Sequence, residues 1–168
     1  GRYHKNKGPD LLLEAIHLID PEYLSKIQFH FFGLGPLEGD LKKKVFQYGL
    51  KDHVTIDGPV DAQTMAALLQ QCHSLILPSR IESIPVILSD ALQLDCNLIV
   101  TDVGDMGPLV RSYRAGLVVD KESPEKLKEA ILAQGNRGKD EFREGRLKLY
   151  ALFDLKESVN NFLKTVGT

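Results

Sequence analysis

The sequence predicts an α/β fold, a Rossmann-like doubly wound parallel sheet with helices on both faces. Three observations carry that prediction. Short apolar runs of strand length alternate with segments whose apolar residues recur at helical spacing. The connections between them are only a few residues long, which makes strand-helix-strand units and a parallel sheet covered on both sides. Helix boundaries carry their own signals, with Pro, Ser or Asp at the entry and Gly at the exit. The handedness of crossovers then leads to double winding, with ligands expected beyond the carboxyl ends of the strands.

In chain order, Leu11, Leu12, Ala15, Ile16 and Ile19 follow a helical period, with Pro9 in the first turn and Pro21 as the stop. Residues 27–32 read as a strand, and Gly33-Leu34-Gly35-Pro36 as a turn or a close backbone approach. Residues 37–48 read as a helix ended by Gly49. Val54-Thr55-Ile56 is a short strand. Asp61 caps a helix that runs to Gln71 and buries Met65, Leu68 and Leu69. Residues 74–77 form a buried strand, 85–94 a helix, and 98–100 and 117–119 two further strands. Ser123 and Pro124 open another helix. Residues beyond about 138 read as helical to the end, with an interruption near Phe153 and Asp154. The opening Gly1-Arg2-Tyr3-His4 reads as the end of a strand entering a loop, so we expect a single domain over 1–168 that is a fragment of a longer chain.

Composition narrows the function. The chain has 168 residues, 43% of them hydrophobic, enough for one core. A net charge of −2 implies no broad basic face and argues against nucleic acid as a partner. No run of apolar residues is long enough to span a membrane, and no signal peptide is visible. The two cysteines, Cys72 and Cys96, lie in no metal-binding spacing and read as two small buried thiols in a reducing, cytoplasmic setting.

The strand ends hold the informative loops. Arg2, His4, Lys5 and Lys7 crowd one loop beside a helix start. Composition alone favours a solvated basic loop, while its position favours anion binding through the fork of Arg2 and the point charge of Lys7. Gly33-Leu34-Gly35 lacks the third glycine of a dinucleotide fingerprint, since Glu38 stands in its place. Gly58 could let a flat base pack on the backbone, or simply serve a strand-to-helix loop. In the loop 78–85, Glu82 and Ser83 precede a helix opened by Pro85, where a carboxylate also suits the helix dipole. Asp90 follows eight positions after Glu82. Two acids around a helix start can accept hydrogen bonds from the hydroxyls of a sugar or ribose.

Taken in order and spacing, these loops resemble the C-terminal domain of retaining glycosyltransferases of GT-B architecture, the glycosyl transferases group 1 family. The resemblance rests on Arg2, four residues, then Lys7-Gly8; on Gly33-Leu34-Gly35-Pro36; on the strand ending in Gly58; on Pro78-Ser79-Arg80; on Glu82 and Asp90 with seven residues between; and on Thr101-Asp102-Val103-Gly104 and Ala115-Gly116-Leu117. It implies that Arg2 and Lys7 hold the diphosphate of a nucleotide sugar and stabilise the leaving nucleotide. Glu82 would bond to the transferred sugar and Asp90 to the ribose. Gly58, Pro59 and Val60 would lie against the base, and Ser83, Ile84, Pro85 and Val86 would line the donor at the helix start. It implies no metal and no other cofactor, since cations and helix ends take that role. It also implies an N-terminal domain of the same full-length protein that holds the acceptor and could bring peripheral membrane association, a role in polysaccharide or glycolipid synthesis, and an inactive isolated fragment. The chain departs from the pattern at Asp90, where Glu is usual, in the segment 94–97, which lacks the usual Gly and Pro, and at Gly104-Asp105, where a double glycine is usual. An inward-pointing Asp105 would set a negative charge close to the diphosphate. A non-catalytic nucleotide-sugar-binding module is the alternative, and a dinucleotide-dependent oxidoreductase the less favoured third.

Overall fold

The structure is a computed structural model and describes residues 1–138 and 140–153; the helical expectation beyond Phe153 lies outside the described residues. A short 3-10 turn, Lys5–Lys7, leads through Gly8 into α1, Pro9–His17. α2, Pro21–Leu24, is a single turn that follows at once. Pro21 therefore starts a helix as well as stopping one, because proline's fixed φ suits the first helical position. Then come β1 (Phe29–Phe32), α3 (Glu38–Gln47), β2 (Val54–Asp57), α4 (Ala62–Gln71) and β3 (Ser74–Leu77). α5 (Val86–Gln93), β4 (Asn97–Thr101), α6 (Met106–Tyr113), β5 (Leu117–Val119), α7 (Pro124–Gly135) and α8 (Arg143–Phe153) follow among the described residues. Several expected boundary signals operate. Asp61 accepts from the Thr64 amide at 2.7 Å, Ser123 accepts from Lys126, and Gly49 leaves α3 with a left-handed φ of 67°.

Among the described residues all strands pair in parallel, but in two ladders. β1 lies beside β2 with Phe29 opposite Val54, and β3, β4 and β5 form a second ladder in that order. Strand alternation sends side chains to opposite faces. On β4, Ile99 joins a core with α1, α3 and α7, whereas Leu98 and Val100 join a core with α5, α6 and α8. Helices thus cover both faces, as doubly wound α/β folds require. α8 is pinned beneath α5 by Arg146, whose side chain is fully buried yet reaches Asp95 and Asn97 at 2.8 and 2.7 Å.

Two sequence expectations need correction. β3 reads as a buried strand, but all four of its residues are only half-buried, in contrast to the fully buried β4. Of the three residues expected to be buried on α4, only Leu69 is; Met65 and Leu68 are half-buried. Both differences have one cause. β1 and β3 face each other without pairing, and a cleft of about 560 Å³ separates them, lined by both strands and by Met65 and Leu68. Cys96 is buried and Cys72 half-buried, with their sulfurs 3.3 Å apart. No helix among the described residues is long and apolar enough to cross a membrane.

Candidate functional site

The site is assembled from loops at the carboxyl ends of the strands. The first loop is tied to the end of β1: the Tyr3 amide donates to the Leu34 carbonyl at 2.9 Å, and Arg2 forms an isolated parallel bridge with Leu34. The contact needs Gly35, since a Cβ there would lie 2.4 Å from the Tyr3 carbonyl oxygen. Gly33-Leu34-Gly35 is thus a close backbone approach to the chain's own first residues. Arg2 is exposed and lines an open cavity of about 550 Å³ together with Gly33, Leu34, Pro36, Pro59 and Val60.

Tyr3, buried beneath this loop, donates from its hydroxyl to the Asp57 carbonyl at 2.6 Å. Burial first, then the charges of Asp57 and Glu38, push its phenol up to about 12 against the opposing pull of that hydrogen bond. A raised phenol pKa favours the neutral form in the fold. Its stabilisation is complete below the ordinary value of 10 and is lost as pH rises from 10 toward 12. Urea unfolding midpoints followed against pH should therefore fall over that window, and Tyr3→Phe should remove this component. At neutral pH Tyr3→Phe should cost about 1 kcal/mol for the lost hydrogen bond.

The second half of the site centres on Lys7 and Glu82, seventy-five positions apart in sequence, whose side chains form an ion pair. The Glu82 side chain is 14% exposed and that of Lys7 39%, so the acid sits beneath the cation. An ammonium has three donors, and those not directed at Glu82 remain available toward solvent. The two loops meet backbone to backbone. Gly8 holds φ at 65°, and a Cβ there would lie 2.0 Å from the Pro78 carbonyl oxygen. The amides of Arg80 and Ile81 both donate to the Asn6 carbonyl. The Arg80 guanidinium forks onto Asp10 at 2.8 and 3.0 Å, donates to the Lys5 carbonyl at 2.8 Å, and approaches Glu122 at 3.4 Å. Three loops are thereby strapped together. The sequence places Arg80 in a recognisable stretch but assigns it no role; its partners Asp10 and Glu122 lie 70 and 42 positions away. The His4 imidazole accepts from the Asn6 amide at the start of the 3-10 turn.

A third loop closes the site. Gly104 holds φ at 51°, and a Cβ there would lie 1.9 Å from the Glu82 carbonyl oxygen. Ser83 donates to Asp105 at 3.0 Å, so the Asp105 carboxylate does sit beside the start of α5. Pro85 occupies the N-cap position of α5, and the helix begins its hydrogen bonding with Leu88 donating to Pro85. The amides of Val86 and Ile87 thus lie at the positive end of the helix, free of intrahelical partners. Ile84 and Val86 are exposed, as is Ile81.

The structure therefore joins Lys7, Glu82, Ser83 and the start of α5 in one constellation, and Arg2, Pro59 and Val60 around one cavity. Gly58 is exposed, with open space above it. Asp90 lies half-buried in the second turn of α5, and among the described residues its carboxylate forms no hydrogen bond or ion pair with the rest of the site. Among the described residues no three His, Cys, Asp or Glu side chains converge as a metal-holding group.

Comparison with known proteins places the chain in a family. The family described as glycosyl transferases group 1 matches residues 1–138. A glycosyltransferase of Methanocaldococcus jannaschii is 30% identical over 135 residues, covering 79% of this chain and 36% of its own length. A D-inositol 3-phosphate glycosyltransferase of Jonesia denitrificans is 28% identical, covering 74% of this chain and 31% of its own. The chain thus spans about a third of the length of these relatives. Among solved structures, Anabaena HepE in complex with UDP and glucose superposes with a TM-score of 0.83 at 15% identity, covering 99% of this chain and 46% of that one. The C-terminal domain of the group 1 protein LpcC of Francisella tularensis gives 0.74 at 18% identity, covering 93% and 82%. These solved structures share its α/β fold. With a family match over most of its length and loops that meet where such a fold binds ligands, the chain belongs to the glycosyl transferases group 1 family.

Proposed function

We propose that this chain is the donor-binding domain of a metal-independent retaining glycosyltransferase, that it holds a nucleoside-diphosphate sugar, and that an N-terminal domain of the same protein holds the acceptor. The observation that carries this reading is the pairing of Lys7 with Glu82 at the start of α5, on the same loop as Arg2, which lines a cavity with Pro59 and Val60. A diphosphate needs cations and unpaired amides, which Lys7, Arg2 and the first turn of α5 supply. A sugar needs acidic acceptors, and Glu82 lies within reach of the same cation. Glycosyl transfer leaves negative charge on the departing nucleotide, and Arg2 and Lys7 stabilise it as it develops. UDP and UDP-glucose in the HepE structures are chemically consistent with this class of donor.

A second reading, binding without transfer, draws on the Ser83–Asp105 hydrogen bond, which sets a carboxylate beside the proposed diphosphate position. One panel of measurements addresses both. Thermal unfolding of this chain with UDP-, GDP- and ADP-sugars should show one nucleotide raising the midpoint well above the others, by mass action on the folded state. No shift with any of them would reject nucleotide-sugar binding. A shift combined with no radiolabelled transfer by the full-length protein would favour the binding module. The oxidoreductase reading is disfavoured by the missing third glycine of a dinucleotide fingerprint, since Glu38 stands in its place.

A further inference from the structure

The amino ends of β3 and β4, at the opposite end of the strands from the ligand loops, hold two thiols side by side. Cys72 is the C-cap of α4, two positions before β3, and Cys96 stands directly before β4. Their sulfurs are 3.3 Å apart although 24 positions separate them in sequence. The backbone around both residues is anchored. Ser74 lies opposite Asn97 in the parallel ladder, and the Asn97 side-chain amide donates to the His73 carbonyl at 3.0 Å. The Cys72 amide donates to the Leu68 carbonyl at 2.8 Å and the Cys96 amide to the Ala91 carbonyl at 2.9 Å, so each cysteine is tied to the helix before it. Asp95, with a left-handed φ of 53°, makes the turn that carries the chain from α5 to Cys96. The buried Arg146 guanidinium bonds to Asp95 and Asn97, on either side of that cysteine. The two sulfurs therefore meet because packed segments bring them together. A disulfide has about 2.05 Å between its sulfurs, so they need to close by about 1.3 Å, a distance that side-chain rotation supplies.

We propose that Cys72 and Cys96 form a reversible disulfide, with a low-molecular-weight disulfide of the glutathione class as the oxidant. Cys72 is half-buried and Cys96 buried, so Cys72 reacts first. Its thiolate attacks the small disulfide, forms a mixed disulfide and releases one thiol. The Cys96 sulfur, already beside it, then attacks the Cys72 sulfur and releases the second thiol. The two protein thiols lose two electrons and two protons, and the small disulfide takes up both to leave as two thiols. The new bond closes a loop that contains β3, the segment 78–85 with Glu82, and α5. At its carboxyl end β3 is already clamped to β4 by the Thr101 hydroxyl, which donates to the Ser79 carbonyl at 2.5 Å. The disulfide clamps the amino end, so the half-buried β3 is fastened at both ends. A cross-link of this span restricts the unfolded chain and stabilises the fold. Oxidation thus stiffens the unit that carries Glu82 without placing a new group in the site. The proposal stands independently of which ligand that site holds.

The test incubates the folded protein with graded ratios of oxidised to reduced glutathione, followed by an acid quench and alkylation. Peptide mapping should find Cys72 linked to Cys96 within one chain. The oxidised protein should melt about 5–10 °C above the reduced one, a gain that dithiothreitol reverses. Hydrogen exchange should slow in β3 and at the start of α5. Cys96→Ala should stop at a glutathione adduct on Cys72 with no gain in midpoint, and Cys72→Ala should leave Cys96 unmodified. The readings on the unsubstituted protein do not depend on either variant folding. Thiols that stay reduced in the folded protein at strongly oxidising ratios would overturn the proposal. So would a link between two chains, a link that forms only in urea, or an oxidised protein that melts no higher than the reduced one.

Discussion

Replacing Arg2 and Lys7 together by alanine is expected to abolish most glycosyl transfer by the full-length protein, and to weaken nucleoside-diphosphate binding by this chain about 10²- to 10⁴-fold. Each cation would make charge-assisted hydrogen bonds to the diphosphate, worth about 1.5–3 kcal/mol apiece. The two losses should not simply add, because Lys7 is also the partner of Glu82. Lys7→Ala leaves a mostly buried carboxylate without its cation, so it should damage binding of the sugar as well as of the phosphates. Arg2, exposed on the cavity wall, should act on the nucleotide alone. Titration calorimetry with the free nucleoside diphosphate and with the sugar nucleotide separates these effects. Arg2→Ala should weaken both ligands equally, and Lys7→Ala should weaken the sugar nucleotide more. Retained turnover in the double variant would remove both residues from the proposed mechanism.

Gly8→Ala is expected to be among the most damaging single small substitutions in the site. A Cβ at this position would lie 2.0 Å from the Pro78 carbonyl oxygen, and φ is 65°. The left-handed conformation alone costs alanine about 1 kcal/mol, and relief of a backbone clash typically adds 1–3, for a total of about 2–4 kcal/mol. The obstructing atom is backbone, so no side-chain rotation relieves it. Relief must come from moving the Lys5–Lys7 turn away from the loop 78–85, which would also separate Lys7 from Glu82 and strain the Arg80–Asp10 fork. Urea unfolding should show the loss of stability, and nucleotide affinity should fall with it. Gly49→Ala makes a fitting control. It has a similar φ of 67° but open space around it, so it should show only the conformational part of the cost.

Much of this protein is legible in its sequence because the signals are local. The period of apolar residues, the caps at Asp61 and Ser123, and Pro9 and Pro124 each act within one turn of helix, and the structure places those helices accordingly. Family membership was legible because the order and spacing of the strand-end loops survive in a single chain. By contrast, the double role of Gly33 and Gly35, either a turn or an approach, stayed open in the sequence because their neighbours, Gly1 and Tyr3, lie more than thirty residues away. Arg80 likewise gains meaning only from Asp10, Asn6 and Glu122, which the fold delivers from two other loops.

By itself, then, the sequence determined the alternating elements, the fold class and the chemical types gathered at the strand ends, since periodicity and capping are properties of neighbours along the chain. Only the tertiary structure decided that Lys7 meets Glu82, that Asp105 meets Ser83, and that β3 is half-buried beside a cleft. The physical reason is the same in each case. Ion pairing, backbone approach and strand pairing depend on distances across the fold, and those distances are set by packing between segments rather than by the residues along any one of them.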